Sequence, residues 1–130
     1  MIAGVGIDLV DVDGLRQQLA DTASSFADGV FTADERRDSA RDDPARHLAA
    51  RWAAKEAFLK AWASAHRGQS PSLPGVDLRD IEVARDPWGR PSLLLHGRVA
   101  AAFGADYRCH LSLTHDGPAA AAVVVVETVT

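Results

Sequence analysis

The amino-acid sequence predicts an α+β fold in which an antiparallel sheet packs against one long helix. Apolar residues at helical spacing, introduced by Asp43-Pro44, predict the long helix up to about His66. Three apolar runs have the length and the flanking turn residues of strands. These runs are residues 1–10, 108–114 and 119–127. With 130 residues, of which 47% are hydrophobic, the chain can bury one core and is predicted to be a single domain, residues 1–130.

The remaining elements are predicted to be short. A first helix is expected over about residues 12–26 and would end at Asp28-Gly29. Thr32 and Glu35 match a capping box, in which a Thr hydroxyl and a Glu carboxylate accept from the free N–H groups at the start of a second helix. The segments after the long helix are a loop at 68–75, a hairpin formed by 81–84 and 92–95, and a short helix at 99–103.

The charge and the apolar segments argue against several classes of partner. A net charge of −4 is unfavourable for nucleic acid or an anionic membrane as the main partner. The apolar run 119–126 is too short to span a bilayer, and the N-terminal residues lack the features of a signal peptide. We therefore expect a cytoplasmic protein with no membrane partner. Cys109 alternates like a strand residue and is predicted to be a packed thiol rather than a nucleophile.

Three charged residues lie on or beside the predicted apolar face of the long helix. At about 100° per residue, that face comprises Leu48, Trp52, Leu59 and Trp62. Lys55 lies near its centre, and Glu56 lies at its edge, one turn before Lys60. Burying an unpaired ammonium or carboxylate costs several kcal/mol. Two interpretations stay open: Lys55 reaches solvent beside an ordinary Glu56–Lys60 ion pair, or the three charges belong to a functional site.

The first strand ends in an isolated acid. Asp8 follows an otherwise apolar run and is a helix N-cap, a loop charge or a metal ligand. Gly4 and Gly6 remove side chains at positions where another backbone or a ligand could approach closely. The strand alone does not show which of these roles Asp8 has.

Three sequence motifs occur in the order and spacing of one known family. They are G-V-G-I-D-L-V at residues 4–10, R-W-A-A-K-E-A-F-L-K-A at 51–61 and H-L-S-L-T-H at 110–115. With these motifs the chain resembles the holo-acyl-carrier-protein synthase family, the small trimeric type of 4′-phosphopantetheinyl transferase, over residues 1–127. Shorter matches lie at 31–35, 80–83 and 86–91. The resemblance implies the fold of that transferase and a homotrimer with sites between its subunits.

The same resemblance implies the reaction. Such an enzyme transfers the 4′-phosphopantetheine arm of coenzyme A to a serine of an apo acyl-carrier protein or carrier domain, releases adenosine 3′,5′-bisphosphate and depends on Mg²⁺. Because negative charge builds up on the pyrophosphate oxygens, the protein has mainly to position groups and neutralise charge. The alternative is an inactive paralogue that binds coenzyme A or a carrier without transfer, and intact Asp8, Glu56 and Lys60 argue against it.

Asp8, Glu56 and Lys60 match the family's catalytic positions. Asp8 and Glu56 correspond to its metal-binding carboxylates, and Mg²⁺ usually takes one or two carboxylates in addition to water and substrate phosphate. Lys60 would reach phosphate oxygens at that metal. Lys55 either touches phosphate or holds Asp8 or Glu56 in place. The general base stays open between Glu56 and a metal-bound water relayed by Asp8 or Glu56.

Further cofactor contacts are expected around these residues. His110 and His115 both match the closing motif, but residues five apart on a regular strand point to opposite faces, so only one can face the pocket. The family's Gly-rich turn after the second lysine is replaced here, which shifts the expected nucleotide contacts to Arg67, Gly68 and the following loop. The residues predicted to bind the cofactor are Arg51, Lys55, Lys60, Gly68 and His110.

The first helix also departs from the family pattern. Members that act on acidic carriers often place arginine five or six residues after the strand aspartate, where this chain has Asp13 and Gly14. Arg16 is the nearest cation. We therefore expect docking to follow different rules here and to favour a carrier with a less acidic surface.

Overall fold

The computed structural model describes residues 1–129 and has the predicted α+β class. The long helix, the hairpin and the closing pair of strands lie close to their predicted positions. A 3-10 turn at Leu78–Asp80 leads into the hairpin. The elements in chain order are β1 (Ile2–Asp11), α1 (Val12–Ala20), α2 (Phe26–Val30), α3 (Ala33–Ser39), α4 (Pro44–Ala65), β2 (Ile81–Arg85), β3 (Pro91–Leu95), α5 (Gly97–Phe103), β4 (Tyr107–Asp116) and β5 (Ala119–Thr128).

The strands form two separate antiparallel sheets. The larger has the order β1-β5-β4, and the smaller is the β2–β3 hairpin. Strand alternation gives the larger sheet two distinct faces. Ala122, Val124 and Val126 of β5 are at most 3% exposed and lie on the inner face, which packs against α4. Their neighbours in β5 lie on the opposite face, called the outer face below.

Two glycines set the distance between β1 and α4. A Cβ at Gly4 would lie 2.1 Å from the Ala61 carbonyl oxygen, and one at Gly6 would lie 2.0 Å from that of Ala57. No side chain fits in such a gap, so the strand rests directly on the helix backbone. The prediction that these glycines admit a backbone is confirmed. This close packing brings Asp8 up to the side of α4.

Helix α4 is buried on more of its surface than a single apolar face would require. Leu48 and Trp62 are buried as predicted, but Trp52 and Leu59 are half-buried. Small residues take over the closest contact with the sheet because they let its backbone approach. These alanines, all without exposed surface, are Ala49, Ala53, Ala54, Ala57 and Ala61.

The helix predicted over residues 12–26 is wrong in its second half. Helix α1 ends at Ala20, and Asp21 Oδ1 accepts a hydrogen bond from the backbone N–H of Ala23 at 3.0 Å. An aspartate that bonds its own backbone two residues on favours a turn over a helix. Residues 28 and 29 consequently lie within a second helix, α2, instead of ending the first.

The predicted start signals of α3 and α4 have different outcomes. Thr32 and Glu35 form the capping box at the start of α3, as predicted. Asp43 precedes α4 with a φ of +47° and makes no side-chain cap. Its carboxylate instead accepts from Arg16 of α1 at 2.8 Å, so it ties α1 to the start of α4.

Two further features of the chain bear on its surroundings and its chemistry. Among residues 1–129, no helix combines the length and the apolar character that crossing a bilayer requires. Cys109 is half-buried against the core, and burial raises the pKa of its thiol. A thiol with a raised pKa is a poor nucleophile, in agreement with the predicted packing role.

Candidate active site

Asp8 and Glu56 line one cleft of about 430 Å³ between β1, α1 and α4. Asp8 comes from the strand that the glycines hold against α4, and Glu56 comes from α4 itself. Trp52 forms part of the wall one turn before Glu56, while Gly14 and Gln18 of α1 form another part. The two acids predicted to act together therefore share one cleft, called the carboxylate cleft below.

Lys60 reaches this site from the next turn of α4. Its Nζ donates to Asp8 Oδ1 and to the Ile7 carbonyl oxygen, each at 3.0 Å. The Lys60 side chain is 57% exposed and that of Asp8 is 19% exposed. The ion pair between Glu56 and Lys60 that the sequence suggested does not form within residues 1–129. The Lys60 ammonium turns toward β1 and pairs with Asp8 instead. An exposed ammonium is thus held beside the cleft.

The carboxylate cleft has a donor set that fits Mg²⁺. Asp8 and Glu56 supply oxygen ligands from two different elements, and both side chains reach the same open space. Mg²⁺ usually keeps several waters and takes one or two carboxylates plus substrate phosphate. No group of three or more Asp, Glu, His or Cys residues suited to a metal occurs in the described part of the chain. The cleft therefore suits a cation that takes some ligands from a substrate phosphate and water, and not one whose ligands all come from the protein.

Lys55 has neither of the roles predicted for it. Its side chain is fully buried, and Nζ donates to Glu35 Oε1 at 2.7 Å, to the Val30 carbonyl at 2.7 Å and to the Leu78 carbonyl at 2.8 Å. Three acceptors use all three donors of an ammonium, so none is left for phosphate, Asp8 or Glu56. Burial lowers the pKa of Lys55, while Glu35 acts in the opposite direction.

Glu35 is the centre of this buried lysine cluster. Its Oε1 also accepts from Thr32 N, and its Oε2 accepts from Val83 N of β2 at 3.0 Å. The cluster thereby connects α2, α3, α4 and β2. Sequence reasoning identified Glu35 only as a capping residue. The signal that was available is the position of Lys55 at the centre of an apolar face, which demands a buried acid as partner.

A second cleft, of about 490 Å³, lies elsewhere along α4 and is lined by cations. At about 100° per residue, Arg51 and Glu56 point about 140° apart, so the two clefts open on different sides of the helix. We call it the arginine cleft. Its basic lining residues are Arg41, His47, Arg51, Arg85 and His115.

Asp38 holds two of these arginines in place. It accepts from Arg85 at 2.7 and 2.8 Å and also from Arg51, whose residue surface is only 2% exposed. Hydrogen bonding from Arg85, together with the charge of Arg51, lowers the pKa of Asp38 to about 2. Burial, and after it the charge of nearby Arg41, lowers the pKa of His47. Arg51, predicted to bind the cofactor, therefore belongs to this cleft and not to the carboxylate cleft.

The two histidines of the closing motif lie on opposite faces of β4, as their spacing predicted. His110 pairs with Val125 on the outer face, and its Nε2 lies 2.8 Å from Glu127 Oε1. His115 pairs with buried Ala120 and lines the arginine cleft. Strand alternation thus turns His115 toward the arginine cleft and His110 toward the outer face, and the predicted contact of His110 with the cofactor stays a prediction.

Gly68 lies in the turn after α4 and has a φ of +83°, which explains the glycine by backbone conformation. It lines neither the carboxylate cleft nor the arginine cleft. Its predicted contact with the nucleotide stays a prediction.

Comparison with known proteins decides the family. A sequence profile described as the 4′-phosphopantetheinyl transferase superfamily matches residues 4–124. The chain belongs to this superfamily. The holo-[acyl-carrier-protein] synthase of Nocardia farcinica is 52% identical over 128 residues, which cover 97% of this chain and 88% of the relative. That of Mycobacterium ulcerans is 50% identical over 129 residues, which cover 98% of each chain.

Solved structures of transferases in this family share the fold. An ACPS–CoA complex from Chronobacterium ammoniagenes matches with a TM-score of 0.90 and 41% identity, covering 98% of each chain. The acyl carrier protein synthase of Mycobacterium tuberculosis matches with a TM-score of 0.81 and 46% identity, covering 98% of this chain and 99% of the other. The resemblance inferred from three short motifs is therefore confirmed over almost the whole chain.

Proposed function

We propose that this protein is a holo-acyl-carrier-protein synthase that transfers the 4′-phosphopantetheine arm of coenzyme A to a serine of an apo acyl-carrier protein. The observation that carries the proposal is that Asp8 and Glu56, from a strand and a helix distant in sequence, share one open cleft and that Lys60 is bonded to Asp8. Intact catalytic positions speak against the alternative of an inactive paralogue. Because coenzyme A is the donor, we expect the protein to work in the cytoplasm.

The residues of the carboxylate cleft divide the work of phosphoryl transfer. Asp8 and Glu56 would hold Mg²⁺, which supplies positive charge at phosphate oxygens when bound. Lys60 keeps a second positive charge beside Asp8, and its 57% exposed side chain can turn toward a phosphate group. Adenosine 3′,5′-bisphosphate leaves more easily where these charges stabilise it.

Glu56 is the candidate to receive the proton of the carrier serine. Its carboxylate lines the cleft beside Trp52, and Asp8 opposite is already bonded to Lys60. A carboxylate takes such a proton directly or through one water. Removal of that proton makes the serine oxygen the attacking group at the β-phosphorus atom of coenzyme A, and the bond from phosphorus to the bridging oxygen breaks.

The assembly that we propose is a homotrimer built on the outer face of the larger sheet. Val5, Ile7 and Leu9 of β1 are 52%, 65% and 71% exposed on this face. The face continues across β5 through Val123 and Val125, which pair with β1 in register. An apolar sheet face of this kind is covered in most proteins. Copies of the same chain are its proposed cover, and the number three comes from the family resemblance.

Assembly would also unite the two clefts. The carboxylate cleft is lined by three acids, Asp8, Asp11 and Glu56, and the arginine cleft has the cations, yet α4 separates the two clefts within one chain. Coenzyme A carries a pyrophosphate on the 5′ position and a phosphate on the 3′ position of its ribose, so a metal held by acids can neutralise one group while cations neutralise the other. We propose that the arginine cleft of one subunit faces the carboxylate cleft of its neighbour.

The test of the activity is a mass measurement on the carrier. Incubation with coenzyme A, Mg²⁺ and several apo-carrier proteins should add one phosphopantetheine arm to a carrier, and Glu56→Gln should abolish that gain. Binding of coenzyme A without any mass gain, over a broad panel of carriers, would favour the inactive paralogue.

The test of the assembly uses one charge on the outer face. Val5→Asp should reduce the mass seen by light scattering from three chains to one, because an aspartate cannot be buried unpaired at low cost. Its activity should fall in parallel. Leu94→Asp changes an apolar side chain of 47% exposure on the other sheet and is the matched control. A fully active Val5→Asp monomer would contradict the shared site.

A further inference from the structure

The turn that joins β2 to β3, residues 86–90, carries an exposed tryptophan. Trp88 is 78% exposed. Several other exposed large apolar residues lie on β1, where the proposed assembly would cover them, but Trp88 belongs to the smaller sheet. The apolar outer face therefore does not account for an indole at this position.

The 86–90 turn holds Trp88 in a defined position. Asp86 Oδ1 accepts from the backbone N–H groups of Trp88 and Arg90, each at 2.9 Å. Gly89 N donates to the Asp86 carbonyl at 2.9 Å, and Gly89 has a φ of +85°, which favours glycine. The hydrogen bond from the Arg90 backbone is the largest of the effects that lower the pKa of Asp86. This turn is a fixed structure rather than a loose tip.

Arg90 fixes the ring itself. Its guanidinium carbon lies 5.1 Å from the centroid of the Trp88 ring, a cation–π contact, and its Nε donates to Asp86. One cation covers part of one ring face. With 78% of the residue exposed, the indole keeps a planar apolar surface for a ligand.

The same turn borders the arginine cleft. Gly89 and Pro91 line that cleft together with Arg41, Arg51 and Arg85. A ligand whose phosphates lie against these arginines would have its next group beside Trp88. Proteins that bind single-stranded nucleic acid combine cations along the phosphates with aromatic rings that stack on the bases.

We infer that Trp88 stacks on the adenine base of coenzyme A while the arginine cleft holds its phosphates. The inference rests on the proposed function. Trp88 is then a residue that binds the donor and takes no part in the chemical step. Its removal should raise the KM for coenzyme A and leave kcat and the KM for the carrier unchanged.

The experiment compares two ligands that differ only in the base, adenosine 3′,5′-bisphosphate and ribose 3,5-bisphosphate, by calorimetry on the assembled protein. Trp88→Ala should weaken binding of the first by at least about fivefold, the low end of the effect of one base–aromatic stack. Binding of the second should not change. Trp88→Phe should restore most of the affinity, and Leu94→Ala, an exposed apolar residue of the same hairpin, should alter neither.

Three results would overturn the inference. Equal losses for the two ligands, or no loss for either, would show that Trp88 does not contact the base, with the proposed function intact. A raised KM for the carrier with unchanged coenzyme A binding would assign Trp88 to carrier docking. Failure of the wild-type protein to bind adenosine 3′,5′-bisphosphate would overturn this inference and the proposed function together.

Discussion

Lys55 and Lys60 lie on successive turns of α4, and they differ in exposure and in the number of hydrogen bonds that they donate. Lys55 has no exposed surface and donates to three acceptors at 2.7 to 2.8 Å. Lys60 has a side chain that is 57% exposed and donates to two acceptors at 3.0 Å. The first ammonium has no donor left for a ligand, whereas the second can exchange its partners for phosphate. One short motif thus contains a lysine that organises the fold and a lysine that can act at the site.

The two environments differ in how much a lost ion pair costs in stability. Breaking a buried ion pair by removing one partner typically costs about 3–5 kcal/mol, because the other charge stays buried without compensation. An exposed pair contributes about 0–1 kcal/mol. The buried lysine cluster should therefore control stability and the carboxylate cleft should control activity. Substitutions in the two regions test this division.

The largest effect is expected in the carboxylate cleft, on turnover. Asp8→Asn or Glu56→Gln removes a charge that the proposed metal needs, so kcat should fall by about 10²-fold to 10³-fold or more. The melting temperature should stay close to that of the wild type, because neither acid belongs to the buried cluster. Near-normal rates of both variants at limiting Mg²⁺ would refute the metal-binding role.

The next effect is expected in the buried lysine cluster, on stability. Glu35→Ala should lower the free energy of unfolding by about 3–5 kcal/mol, as measured by urea denaturation. The double variant Lys55→Met/Glu35→Leu should recover much of that loss, because it removes both buried charges. Asp34→Ala, at the exposed neighbouring position, is the control and should change little.

The folded double variant also tests the assignment of Lys55. Since all three donors of the Lys55 ammonium are bonded within the cluster, the variant should bind coenzyme A as tightly as the wild type. A folded double variant that has lost coenzyme A binding would show that Lys55 also contributes to the site. The two lysines would then not differ in function.

A smaller effect is expected for Lys60. Lys60→Ala should weaken binding of coenzyme A by about tenfold, the size of one hydrogen bond to a charged group. Binding of desphospho-pantetheine should change far less, and stability should change by less than about 1 kcal/mol. Arg79→Ala removes another exposed cation, paired with Asp77, and serves as the control. Equal losses for the two ligands would count against a phosphate contact.

The contrast between the lysines also marks how far the sequence could be interpreted. Asp8, Glu56 and Lys60 could be predicted because one strand and the spacing along one helix place them, and because a family motif carries them. The surroundings of Lys55 could not, since its acceptors come from α2, α3 and the turn before β2. A single-helix pattern gives a direction for a side chain but not the identity of the segment that packs there.

The arginine cleft illustrates the same limit. Arg41, Arg51 and Arg85 come from a loop, a helix and a strand, and no spacing in the sequence connects them. The break between α1 and α2 was missed for a local reason: the Asp21 side chain accepts a hydrogen bond from the Ala23 backbone N–H, which outweighed an apolar pattern that would have continued the helix. Long elements with strong patterns were predictable, and contacts between distant segments were not.

The smallest effect is expected where the carboxylate cleft opens to a carrier. Helix α1 forms one wall of that cleft through Gly14, Leu15 and Gln18, so a serine that reaches Asp8 must bring its protein close to α1. The Asp13 side chain on this helix is 72% exposed. Arg16 donates to Asp43 at 2.8 Å, so the charge of the one cation that the sequence placed here is already paired.

An acidic wall repels an acidic partner and attracts a basic one, and salt screens either effect. We therefore predict that the protein modifies an excised carrier domain of low acidity a few-fold faster than a strongly acidic free carrier, and that rising salt reduces its rate with the former only slightly. Asp13→Lys/Asp21→Lys should raise kcat/KM for the acidic carrier by about tenfold at low salt, as expected for electrostatic steering. Asp28→Lys/Asp34→Lys, on α2 and α3, makes the same charge change at exposed positions outside the carboxylate cleft and should have little effect. If the wild-type protein instead prefers the acidic carrier and loses that preference steeply with salt, basic residues outside α1 must guide docking. The acidic wall of the carboxylate cleft would then not determine the choice of carrier.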